Sequence, residues 1–136
     1  MSLITLISVL FLAPSPVLAQ SLITVPPAPT LQEDSAALLS KPELLAIATS
    51  TAAKYHLNAD HFVKTINCES NWNPDTIGDH GESFGLVQIH LIAHQDISKE
   101  QALNPRFAIQ WMANEWANDN ASIWTCWRQL EATGWK

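Results

Sequence analysis

The 136-residue chain is 47% hydrophobic and carries six Trp, enough apolar surface to close one core of about a hundred residues without a metal or a partner chain. Its net charge is −6 and its Lys and Arg total only seven, so no basic stripe exists to neutralise phosphates and nucleic acid is excluded as the expected partner.

Residues 3–13 form an apolar run that Pro14 and Pro16 interrupt before Val17-Leu18-Ala19-Gln20. This pattern predicts a secretory signal peptide over 1–19, cleaved after Ala19, although the α-amino group is the only positive charge ahead of the run. A membrane anchor needs about 20 apolar residues, more than Pro14 allows, so no stable membrane insertion is expected after signal removal. Residues 20–39 contain Pro26-Pro27-Ala28-Pro29 and no amphipathic period, which predicts an extended linker or tail. The folded domain is expected over 40–136, as a secreted or periplasmic monomer.

Ser40-Lys41-Pro42-Glu43 opens that domain with a capping-box arrangement, Ser at the N-cap, Pro in the first turn and Glu three residues on. A helix is predicted from there to about Tyr55. A second starts at Asn58 to Asp60, places Phe62, Val63 and Ile66 on one face and ends at Glu69 or Ser70, because Asn71, Asn73 and Pro74 are breakers. From Asn71 to Gly85 the chain is rich in Asn, Asp, Gly and Ser, and loops or a short irregular hairpin are expected. The apolar piece Gly85 to His90 is too short to assign to strand or helix. Asn104-Pro105 starts a helix whose Phe107, Ile109, Trp111, Met112 and Trp116 read as core. A last helix is predicted over about Ala121 to Glu131, closed by Gly134.

Cys68 and Cys126 lie inside the compact part and fit one disulfide formed in an oxidising compartment; two buried thiols are the alternative.

Ile66-Asn67-Cys68-Glu69-Ser70 is followed by Asn71-Trp72-Asn73-Pro74, a polar loop, and Ser83-Phe84-Gly85-Leu86-Val87-Gln88-Ile89. Either piece alone is weak. In this order and spacing they resemble the transglycosylase SLT family of the lysozyme-like superfamily, whose signature is Glu-Ser, often with an aromatic and Asn-Pro next, then Gly-Leu-Met-Gln. The resemblance runs from about Leu45 to Leu130. It implies a mainly α, α+β lysozyme-like fold, with the loop-rich or hairpin insertion following the catalytic helix, and an enzyme acting on peptidoglycan glycan strands.

Splitting a glycosidic bond requires a proton on the leaving oxygen, and a carboxylic acid holds one near neutral pH only where burial raises its pKa. An arbitrary Glu at a helix end is a surface charge; the double motif assigns Glu69 instead as catalytic acid and base. The resemblance implies that Glu69 protonates the bond between N-acetylmuramic acid and N-acetylglucosamine, and then acts as base while the 6-hydroxyl closes a 1,6-anhydro ring. Asp75, Asp79 and Glu82 follow in the loop. Solvated loop charges are their ordinary role, yet any of them, Asp79 and Glu82 above all, could position a water and make the chain a lysozyme-type hydrolase. A non-catalytic peptidoglycan-binding domain is the remaining alternative, and the acidic net charge requires that any wall binding come from the groove.

Gln88 matches the family's cleft glutamine, while a buried structural hydrogen bond would equally explain a polar residue in an apolar run. Gly85 permits close backbone approach. Ser70 and Ser83 are candidate contacts to Glu69 or to a sugar acetamido group, with local turn capping the commoner use of such serines. The family's later Ala-Tyr-Asn motif is absent, and that region reads Ser122-Ile123-Trp124-Thr125-Cys126-Trp127. Its tyrosine hydroxyl therefore has no counterpart beside Glu69, and Trp124 or Trp127 becomes a candidate sugar-stacking face, set against ordinary core packing. His90 and His94 are four apart with His80 nearby, but no helix is predicted across them and no third ligand is evident, so neither a metal nor a cofactor is expected.

Overall fold

The structure, a computed structural model, describes residues 39–135. The signal peptide expected over 1–19 and all but the last residue of the 20–39 linker lie outside the described residues.

Among the described residues five α-helices carry the fold: α1 (Lys41–Lys54), α2 (Ala59–Ser70), α3 (Lys99–Leu103), α4 (Pro105–Ala117) and α5 (Thr125–Ala132). At the start of α1 the Glu43 carboxylate accepts hydrogen bonds from both the amide (2.8 Å) and the hydroxyl (2.6 Å) of Ser40. These bonds hold the Glu43 carboxyl below its ordinary pKa. Asn58 caps α2 by accepting from the His61 amide, and Asn104 caps α4 by accepting from the amides of Arg106 and Phe107. α1 packs against α2 and α4, and its buried Ala48 and Ala52, with Ala108 and Ala113 of α4, let the backbones come close. Phe62 and Ile66 of α2, Ile109 and Met112 of α4, and Leu86 and Val87 from the loop fill the centre.

The insertion after α2 is a three-stranded antiparallel sheet of two-residue strands, β1 (Ile77–Gly78), β2 (Ser83–Phe84) and β3 (Ile89–His90), in the order β1-β2-β3. The apolar piece left open between strand and helix is a buried turn over Gly85 to Gln88 that runs into β3.

Three sequence expectations need correction. α3 was not anticipated, although Ser98-Lys99-Glu100-Gln101 carries a capping box, with the Ser98 amide donating to Gln101 Oε1 (2.8 Å) and the Gln101 amide to Ser98 Oγ (3.2 Å). The helix expected over Ala121 to Glu131 is broken: Ala121–Ile123 is one 3-10 turn, Trp124 is extended (φ −78°, ψ 128°), and α5 begins only at Thr125. The reason is tertiary. The buried Trp124 indole N–H donates to the Val87 carbonyl (2.8 Å), and Arg128 donates to the carbonyls of Ser122 and Ile123, which holds the turn open as a wall. Finally, Phe107 and Trp111, read as core, are only half-buried.

The segment after α5 closes back on α2. Trp135 stacks flat on His61 (ring centroids 3.7 Å, 4° between planes) and its carbonyl accepts from Lys64 Nζ at 2.7 Å. Among the described residues no helix is long and apolar enough to cross a membrane.

Candidate active site

Glu69 sits in the last turn of α2, where the helix ends because Asn71 adopts the left-handed conformation (φ 49°). Its half-buried carboxyl opens into a cleft of about 370 Å³ whose other walls include Asp79, Ser83, Gln88, Trp111 and Trp124.

Two contacts fix the glutamate. The Cys68–Cys126 disulfide, with Cα atoms 5.8 Å apart, joins α2 to α5 at the residue before Glu69. The Cys126 amide, in the first turn of α5, donates to Glu69 Oε1 at 3.2 Å. The donor is one of the helix-start N–H groups that have no partner within their own helix. Burial pushes the Glu69 carboxyl above its ordinary pKa; the Cys126 hydrogen bond pulls it back, the negative charge of Asp79 pushes it further up, and the Arg128 guanidinium lowers it. Burial is the largest influence, and the result is a carboxyl that keeps its proton to higher pH than an exposed glutamate does.

The sheet register builds the facing wall. Ser83 on the central strand pairs with Gly78 on one side and His90 on the other. Asp79 directly follows Gly78, so the register brings Asp79, Ser83 and His90 together. The Ser83 hydroxyl donates to Asp79 Oδ2 and lies 3.3 Å from His90 Nδ1. His90 is flanked by two carboxylates, with Nδ1 3.9 Å from Asp79 Oδ2 and Nε2 3.7 Å from Glu82 Oε2.

Gln88 lines the cleft, but its amide nitrogen is committed to the carbonyls of Gly85 (2.8 Å) and Thr76 (3.2 Å). Gly78 makes room for it, since a Cβ there would lie 2.2 Å from Gln88 Oε1. Two of the expected contact residues are not brought to the cleft wall. Ser70 is buried with its hydroxyl donating to the Ile66 carbonyl of its own helix (3.3 Å), and Gly85 (φ 78°) packs against the Ala102 carbonyl, where a Cβ would stand 2.0 Å away. Asp75 and Glu82 are likewise absent from the lining, as is Trp127, which packs edge-on against Trp135. Trp124 is on the wall but almost wholly buried, edge-on to Trp111 at 5.6 Å between centroids. Trp111 is the aromatic that sequence reading missed as a cleft residue, and nothing in the helical periodicity separates it from the core positions of α4. His94 stands edge-on to it at 4.8 Å and also lines the cleft.

Backbone strain gathers at this site. Among the described residues, five of the eight non-glycine residues with positive φ, namely Asn71, Trp72, Asp79, His80 and Gln88, fall between Asn71 and Gln88, the stretch that follows Glu69 and faces it. Such conformations cost of order 1–3 kcal/mol each and persist where surrounding structure dictates them, commonly at functional sites. Among the described residues no group of three or more His, Cys, Asp or Glu side chains converges to hold a metal ion.

No family model, no curated protein and no solved structure matches this chain.

Proposed function

We propose that this chain is an exported peptidoglycan-cleaving enzyme with a lysozyme-like domain, and that Glu69 is the acid that breaks the β-1,4 bond between N-acetylmuramic acid and N-acetylglucosamine. The observation that carries this reading is a half-buried carboxyl with a raised pKa, held by a backbone N–H at the edge of a cleft. Such a group can deliver a proton to a bridging oxygen near neutral pH. The cleft's aromatic and hydrogen-bonding lining suits a sugar. The disulfide is compatible with a secreted or periplasmic setting.

After the bond opens, C1 of the muramic residue needs a partner. Resemblance to the SLT family implies its own 6-hydroxyl, with Glu69 as base and a 1,6-anhydro product, the lytic transglycosylase outcome. Hydrolysis is the second reading, and Asp79 on the same cleft favours it.

Digestion of purified sacculi by wild type and Glu69→Gln tests the assignment. The variant is expected to lose about 100-fold or more in release of soluble muropeptides while still binding sacculi. Equal release by both proteins removes Glu69 from the chemistry; binding without release by either marks a non-catalytic wall-binding domain.

A further inference from the structure

We infer that the outer side of α4 carries a second, non-catalytic saccharide site, formed by Tyr55, Phe107, Gln110, Trp111 and Asn114, which holds an N-acetylhexosamine unit of the wall outside the cleft of Glu69. The inference rests on the peptidoglycan reading of that cleft and adds a place where the protein is retained on its substrate.

α4 presents two stripes. Ala108, Ile109, Met112 and Ala113 are buried in the core, whereas Phe107, Gln110, Trp111 and Asn114 follow the i, i+3, i+4, i+7 spacing of a separate face. Phe107 and Trp111 are half-buried, and Gln110 and Asn114 are exposed. With Tyr55, at the C-terminal end of α1, they line a hollow of about 340 Å³, within the size range of small-ligand sites.

The lining selects a class of ligand. It contains no charged residue, no His and no Cys, so its walls neither ligate a metal ion nor pair with an anion. What it offers is three aromatic rings and two carboxamides. A pyranose has the matching surface, with apolar C–H faces that lie against rings and with hydroxyl and acetamido groups that pair with an amide's donor and acceptor. Among the described residues no hydrogen bond engages the Tyr55 hydroxyl or the carboxamides of Gln110 and Asn114. Gln88 differs, because its amide nitrogen is committed to two backbone carbonyls.

Trp111 ties the hollow to the cleft, since it lines both. Wall engaged at Glu69 therefore has a second group of aromatic and amide contacts beside it. The net charge of −6 gives the chain no attraction to a carboxylate-bearing wall, so neutral contacts of this kind must supply retention.

The experiment uses the full chain with Glu69→Gln, and a trimer of β-1,4-linked N-acetylglucosamine as probe. NMR titration is expected to move the side-chain amide signals of Gln110 and Asn114 saturably. Gln110→Ala/Asn114→Ala changes two exposed helix positions at which Ala is favoured, so it should melt as its parent does. It should weaken co-sedimentation with purified sacculi about 10-fold, through the loss of two hydrogen bonds. With Glu69 intact, the same pair should raise KM for sacculi about 10-fold at unchanged kcat, which a merely structural role of these side chains would not do. Shifts confined to residues of the Glu69 cleft, or sacculus binding unchanged by the double substitution, overturn the inference. Movement of the same signals with protein concentration alone marks this face as a self-association surface and overturns it too. Wild type that shows the sugar site but releases no muropeptide removes Glu69 as the acid and leaves the inference standing.

Discussion

Cys126 holds Glu69 twice: its sulfur is bonded to Cys68, the residue just before the glutamate, and its amide donates to Glu69 Oε1 at 3.2 Å. One residue of α5 thereby sets both where the last turn of α2 lies and which way its carboxyl points.

Cutting that tie is expected to be felt in stability and in the site. The bridge closes a separation of 58 residues, so Cys68→Ala/Cys126→Ala should lose about 4 kcal/mol in urea unfolding on the chain-entropy account. Cleavage measured well below the variant's melting temperature should also fall, because α5 no longer keeps its amide at Glu69. Full activity in a destabilised variant would separate the bridge from the geometry of the site.

Replacing Glu69 by Gln should leave the fold at least as stable near neutral pH. Burial raises the carboxyl's pKa in the folded chain above its unfolded value, so the folded state binds the proton more tightly. Stability is then lost as pH rises from the ordinary carboxyl range through the folded value, and a group that never ionises escapes that loss. Thermal melts of both proteins at about pH 7 and about pH 3 check the sign, the Gln advantage being present at the first and gone at the second. The same shift governs rate: kcat/KM should fall as pH rises through the folded value, with that limb lying above the ordinary glutamate range.

Two glycines of the sheet region should respond in opposite ways. Gly78 has extended backbone (φ −116°), and the one severe clash of an added Cβ would be with Gln88 Oε1, at the end of a side chain that can turn away by giving up its two hydrogen bonds. Gly78→Ala is therefore expected to fold with a loss of about 1–2 kcal/mol while cleavage drops, because Gln88 must leave its place on the cleft and its two hydrogen bonds. Gly85→Ala meets the Ala102 backbone carbonyl at φ 78° and should cost about 3 kcal/mol. Denaturant melts and sacculus release on the same two samples distinguish the effects.

Trp124 is buried and bonded to the Val87 carbonyl, so its removal should act on stability first. Trp124→Phe should lose about 1–2 kcal/mol by leaving that buried carbonyl unpaired. Its KM should stay within roughly twofold of wild type if the ring is a wall. A large rise in KM with unchanged melting would assign the indole to sugar stacking.

Local chemistry made much of this molecule legible in one dimension. Ser40 with Glu43, Asn58, and Asn104 with Pro105 announced three helix starts, because caps satisfy backbone amides within a few residues of themselves. Glu69 and Gln88 stood out by order and spacing, and the structure lines one cleft with both. What only the tertiary structure decided are contacts between distant segments. The break at Trp124 depends on a carbonyl 37 residues away, the Cys126 amide reaches Glu69 across 57 residues, and Asp79, Ser83 and His90 meet through strand register. Ser70 and Gly85 sit inside the same motifs, yet the Ser70 hydroxyl turns to its own helix and Gly85 packs on the backbone of Ala102, and Trp111 shares the period of core residues yet faces the cleft. Spacing along a chain encodes which residues share an element. Which of them faces water, and what faces it in return, is set by how the elements pack.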